Sequence, residues 1–241
     1  MKSIAIVGSN LIGLLSADIL SSKNNVTIID SELELGFPAS FPGSCINKDV
    51  ISNILGDQDK HNLFMYNKDN TYNFRSEWFT KLLTHKLAKK DIEIYNRTRI
   101  VSIEELDKKL SINTNGNDSL SEDVRFDIII DFSNISYTTF GNLTHNCSIR
   151  SPNLIQPNIK TKQFFVGICL KKDAILLDNF EIYIERSDDL VEIWYNLPQK
   201  QFPKQGWIES KIVNSYYDSR LMLLDDYYKI SNEIASEVNS I

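Results

Sequence analysis

Apolar, mostly β-branched residues run unbroken from Ile4 to Val7, stop at Gly8, and resume past Asn10 at the spacing of a helix face through Leu11, Leu14, Leu15, Ala17, Ile19 and Leu20. A second short run, Val26, Thr27, Ile28 and Ile29, ends on Asp30. Four-residue apolar runs bounded by turn residues predict strands, and the three-to-four spacing between them predicts a helix. Residues 3–30 therefore read as strand, turn, helix, strand. Beyond Asp30 the pattern breaks: Gly36, Pro38, Pro42 and Gly43 impose a looping path, and a short helix is expected from Lys48 to Leu55. Residues 56–73 are polar, with Leu63, Phe64 and Tyr66 as an edge strand. Ser76 then caps a strong helix with Trp78, Phe79, Leu82, Leu83 and Leu87 on one face and lysines largely on the other.

The next segments are short and strand-like: Asp91 to Tyr95, Arg99 to Ile103 and Lys109 to Asn113, with Asn115 and Gly116 as a turn between strands. Phe126 to Asp131 is a mostly apolar run ending in an acid, as a central parallel strand would be. From about Cys147 the character changes. Phe164–Leu170, Phe180–Ile184 and Leu190–Leu197 alternate like antiparallel strands, and the chain closes on a helix whose stripe holds Leu223, Tyr227, Ile230, Ile234 and Ile241. The expected class is α/β, with residues 1–146 as a Rossmann-like βαβ domain and 147–241 as a mostly antiparallel β-rich region with a C-terminal helix. An exposed apolar stripe on that helix would make it a surface for self-association or a partner chain.

Composition narrows the partners. With 26 basic and 32 acidic residues the net charge is −6, which argues against nucleic acid, whose binding draws on concentrated Lys and Arg. No apolar run approaches the ~20 residues of a membrane span. Met1 and Lys2 lead directly into the first strand, and Cys45, Cys147 and Cys169 are widely spaced. A cytoplasmic protein with reduced thiols is expected. His61, His85 and His145 have neither metal-ligand spacing nor a neighbouring nucleophile.

The strand–turn–helix–strand order is the start of a dinucleotide-binding domain, in which a turn and a helix N-terminus meet a pyrophosphate. Asp30 follows Gly8 by about 20 residues, where the G-x-G-x-x-G fingerprint has an acid for a ribose hydroxyl. Gly8 and Gly13 match that fingerprint; Asn10 stands at its middle glycine.

Four segments together resemble the FAD-dependent oxidoreductase superfamily of geranylgeranyl reductases, lycopene cyclases and aromatic-ring hydroxylases. They are the βαβ start; Glu34, Leu35, Gly36, Phe37 and Pro38 followed by Cys45; Phe74 and Arg75 leading a helix; and the run ending in Asp131, where Phe132 replaces the family's Gly. The resemblance implies FAD as cofactor, with NAD(P) as the alternative, and cofactor-side positions at Gly8, Asn10, Leu11, Gly13, Asp30, Ser31, Arg75, Ile100 and Asp131. It implies Cys45 on the side of an apolar small-molecule substrate and assigns no catalytic residue. The family's late Gly-Asp is absent: beyond residue 150 the glycines are Gly167 and Gly206, and neither precedes Asp. Two readings stay open, a flavin-dependent oxidoreductase and a shortened, non-catalytic module that binds a partner or a nucleotide without turnover.

Overall fold

The computed structural model describes residues 1–116, 120, 124–133, 151–199 and 201–241. His145, Cys147 and the expected boundary at 146/147 lie outside the described residues. The chain forms two compact units, one of residues 1–38, 83–158 and 228–241, the other of 39–82 and 159–227.

In the first unit, strands numbered along the chain form a parallel sheet in the order β11-β10-β1-β2-β6. They are β1 (Ser3–Val7), β2 (Asn25–Ile29), β6 (Glu93–Tyr95), β10 (Ile128–Asp131) and β11 (Leu154–Ile155). Ile6 lies between Ile28 on one side and Ile130 on the other, and all three are fully buried. A strand apolar at every position is what a sheet covered on both faces requires. The helix α1 (Leu11–Leu20) connects β1 to β2. It lies so close to the sheet that a Cβ at Gly13 would stand 2.5 Å from the Gly8 carbonyl oxygen and 3.3 Å from the Phe132 ring. Only glycine allows that approach, as at the last position of the dinucleotide-binding turn.

The same unit holds an antiparallel sheet of β7 (Thr98–Leu106), β8 (Lys109–Gly116) and β9 (Arg125–Phe126). Its tight turn is at Asp107 and Lys108, both at positive φ, and not at Asn115–Gly116, which end β8 opposite Arg99 and Thr98. Two successive positive φ values suit a two-residue hairpin of matching twist. Asp107 and Lys108 supply them here, so the Asn-Gly pair misleads. The last helix of the chain, α4 (Leu224–Ser240), contributes Ser231, Ile234, Ala235 and Val238 to this unit, all buried.

The second unit contains β3 (Ser44–Cys45), β4 (Tyr66–Lys68) and β5 (Thr71–Asn73) in one small sheet. A larger antiparallel sheet has the order β13-β14-β12-β15-β16. Its strands are β12 (Thr161–Leu170), β13 (Ile182–Glu185), β14 (Leu190–Asn196), β15 (Glu209–Asp218) and β16 (Arg220–Leu221). The alternation read from the sequence is realised here: Phe164, Val166, Trp194 and Val213 share one buried face, while Cys169, Val191, Ile193 and Tyr195 share the other. The helix α2 (Lys48–Lys60) runs past Leu55 through Gly56, whose φ of 77° interrupts it. Leu63 ends a 3-10 turn rather than starting an edge strand. The helix α3 (Ser76–Ala88) begins in this unit, where Phe79 packs on Phe41 and Phe74.

Candidate functional site

In the parallel sheet, β1 runs to β2 on one side while β10 lies on its other side. The carboxyl ends of β1 and β10 therefore flank the point where the strand order reverses, the place where open parallel sheets bind ligands. Gly8 leaves β1 at a φ of 89°, a conformation that L side chains rarely adopt. Asn10 is the N-cap of α1: its side-chain oxygen accepts from the Gly13 N–H at 3.0 Å, and its amide donates to the Phe132 carbonyl at 3.4 Å. The side chain at the fingerprint's middle position thus ties the turn to the segment after β10. The N–H groups of Leu11 and Ile12, in the first turn of α1, have no intrahelical acceptor and carry the positive end of its dipole.

Asp30 is buried, at 3% exposure, directly after β2. One of its oxygens accepts from the Ser9 N–H at 2.5 Å and the other from the Glu32 N–H at 2.9 Å. Ser9 in turn accepts from the Gly36 N–H at 2.8 Å. The acid is thus the anchor of its own turn. Burial, followed by the charge of Asp30, raises the pKa of the neighbouring Glu32. Ser31 is half-buried next to the acid, and Ile100, on β7, packs on the core formed by Val7, Ile29 and Phe126.

Asp131 ends β10 opposite Val7 and is buried. One oxygen accepts from the Ser133 N–H at 2.8 Å and from its hydroxyl at 2.5 Å; the other accepts from Gln156 at 2.8 Å. The structure thus gathers Gly8, Asn10, Leu11, Gly13, Asp30 and Asp131 at the carboxyl end of one sheet. Ser9 and Gln156 complete the group, and nothing in their sequence context marks them. Arg75 and Cys45 belong to the other unit. Arg75 is half-exposed, 3.6 Å from Glu77. Cys45 is fully buried on β3, and burial, with the nearby charge of Asp225 as the smaller cause, pushes its thiol up to about 12. Such a thiol is no nucleophile at neutral pH. Among the described residues no cluster of His, Cys, Asp and Glu could hold a metal ion, and no helix is long and apolar enough to cross a membrane.

These residues fit the adenosine and pyrophosphate half of a dinucleotide. The turn at Gly8, the two N–H groups of α1 and an acid after β2 are all present, and a carboxylate has about four acceptor sites, of which Asp30 uses two.

No protein-family model and no curated protein sequence matches the chain. Solved structures do. p-Nitrophenol 4-monooxygenase PnpA from Pseudomonas putida superposes with a TM-score of 0.65 at 10% identity, over 99% of this chain and 80% of that one. The L-α-glycerophosphate oxidase of Mycoplasma pneumoniae, with FAD bound, does so with a TM-score of 0.63 at 11% identity, over 99% and 95%. The flavin-dependent halogenase CmlS gives 0.58 at 15% identity, and this chain spans 58% of its length. The chain has the Rossmann-type α/β fold of these FAD/NAD(P)-binding flavoproteins.

Proposed function

We propose that the chain binds FAD and works as a flavin-dependent oxidoreductase on an apolar substrate, in the manner of the geranylgeranyl reductases. The observation that carries the proposal is the turn at the switch point, where Gly8 at positive φ aims the first turn of α1 outward beside Asp30. Leu11 and Ile12 would donate N–H groups to the pyrophosphate, and Asp30 would accept from a ribose hydroxyl with its remaining acceptor sites. Ser31 and Ile100 would flank the adenosine, and Asp131 would sit at the β10 side of the cofactor. When bound, the flavin supplies the redox chemistry, and the protein's part is to bind and orient it.

Titration of the purified chain with FAD, followed by flavin fluorescence, tests the proposal. Saturable binding is expected, weakened about tenfold by Asp30→Ala, a loss of about 1.4 kcal/mol, and unchanged by Asn10→Gly. A colourless protein that takes up no FAD at high micromolar concentration overturns it. That outcome favours the second reading, a module that keeps the fold without turnover. What supports the second reading is that Asp30 is 3% exposed with both oxygens bonded and that Asn10 bridges to Phe132.

A further inference from the structure

The antiparallel sheet of the second unit carries a cavity of about 590 Å³, lined by Leu170, Lys171, Lys172, Ile175, Tyr183 and Asp189. None of these residues belongs to the flavin proposal. The volume lies within the range of small-molecule sites, about 300–1,000 Å³, which are walled mainly by apolar and aromatic side chains around a few polar groups. Backbone hydrogen bonds hold the walls in place. β12 finishes at Leu170, and the Lys171 N–H donates to the Asp189 carbonyl at 3.0 Å, fixing that end to the turn before β14. The Ala174 N–H donates to the Lys171 carbonyl at 3.2 Å and the Leu177 N–H to the Ala174 carbonyl at 3.0 Å, so Ile175 stands in a closed turn although it is 79% exposed. Tyr183 pairs with Ile193 across β13 and β14 and packs on the buried cluster of Cys169, Ala174 and Val191.

Leu170, Ile175 and the Tyr183 ring give the cavity its apolar wall, and the Phe180 ring lies 5.5 Å from that of Tyr183. The Tyr183 hydroxyl has no hydrogen-bond partner among the described residues. Burial, and then the charge of Glu185, raise its pKa against a smaller opposing effect of Lys171. At neutral pH it therefore keeps its proton and can both donate and accept. An apolar wall beside one free hydroxyl suits a molecule with an apolar body and a single hydrogen-bonding group.

The charges of the lining disfavour an ionic ligand of either sign. Glu185 accepts from Lys171 at 2.5 Å on one oxygen and from Lys68 on the other, so the Lys171 ammonium is already neutralised. Lys172 and Asp189 remain in the lining, one of each sign: an anion would meet Asp189, and a cation would meet Lys172. With Asp173 in the same turn as Lys172, no excess of positive charge is left for an anion. Taking an ion out of water with no opposite charge to receive it is costly, so this arrangement selects for a neutral molecule.

We propose that this cavity binds a small neutral alcohol, whose apolar body seats on Leu170, Ile175 and the Tyr183 ring and whose hydroxyl pairs with that of Tyr183. The site is independent of the flavin reading. The test is calorimetric titration of the full chain at neutral pH with octan-1-ol and, separately, with octanoate and octyltrimethylammonium, with and without added FAD. Octan-1-ol is expected to bind saturably and at least about tenfold more tightly than either ion. Its affinity should not change between about 0.05 and 0.5 M salt, since screening acts only on charges. Tyr183→Phe, which keeps the ring and its packing, is expected to weaken it about fivefold, the effect of one hydrogen bond. Ile175→Ser, at an exposed position, is expected to weaken it about tenfold. Absence of saturable heat at millimolar octan-1-ol overturns the proposal. So does equal or tighter binding of either ion, or wild-type affinity in Tyr183→Phe or Ile175→Ser with an unchanged circular dichroism spectrum. Octan-1-ol binding without FAD uptake upholds this site and removes the flavin reading; FAD uptake without octan-1-ol binding does the reverse.

Discussion

Asp30 closes β2 with a carboxylate that organises the turn in front of it. Its two hydrogen bonds, to the Ser9 N–H at 2.5 Å and the Glu32 N–H at 2.9 Å, are of the charge-assisted kind, which contribute about 1.5–3 kcal/mol each. Asp30→Ala would leave both N–H groups without that acceptor at a buried site, so a loss of about 3 kcal/mol in urea unfolding is expected in the absence of any ligand. Asp30→Asn, which keeps one acceptor oxygen, should lose less. Wild-type stability in Asp30→Ala would mean that the turn holds itself. The measurement separates the structural role of the acid from the ribose role proposed for it, because the first is present without FAD and the second is not.

Among the strands, β14 breaks its own alternation rule. Glu192 lies on the same face as the fully packed Trp194, is buried, and accepts from the Trp194 indole N–H at 2.6 Å. Burial raises its carboxyl from 4.5 to about 7, against smaller opposing effects of that hydrogen bond, Lys211 and Arg186. The folded chain therefore holds this proton over a pH range where the unfolded chain has released it. The contribution to stability is full below about 4.5 and is lost as pH rises to 7, up to about 3 kcal/mol. Glu192→Gln keeps an acceptor for Trp194 and cannot ionise. Its urea midpoint is expected to exceed the wild type's at pH 8 and to match it near pH 4.5. An unchanged difference between wild type and variant at the two pH values would refute the assignment.

The strand itself was legible in Leu190–Leu197 by alternation, but a carboxylate inside it reads as solvent-facing, and only the packing around it reveals the burial. The same division holds at the candidate site. Gly8, Gly13 and Asp30 were legible because turn, close approach and acid each demand one residue type. Gln156, which holds Asp131 from 25 positions away, carries no local signal, and Asp107–Lys108 formed the tight turn that Asn115–Gly116 had promised.

The whole chain is threaded so that the first unit is completed by residues 228–241, drawn from its far end. The stripe expected to lie exposed on the last helix is buried at Leu223, Tyr227 and Ile234, and Ile241 alone among its residues is more than half exposed, at 56%. Within the first unit the helix is held at several points. The Ser231 hydroxyl reaches the Ile12 carbonyl at 3.4 Å, Lys2 donates to the Val238 carbonyl at 3.1 Å, and Asn24 meets Asn239 at 3.1 Å. A stripe satisfied by its own chain and one awaiting a partner make opposite predictions. If the chain's own core covers it, Ile234→Ala should cost about 2–5 kcal/mol, the usual loss for a buried Ile. Ile241→Ala should stay within about 0.5 kcal/mol. Neither midpoint should move with protein concentration, since a stability that depends on association shifts by mass action. Unfolding curves in urea at two protein concentrations a hundredfold apart would decide it: a midpoint that rises with concentration in the wild type and stops doing so in Ile234→Ala would return this helix to the role of a partner surface.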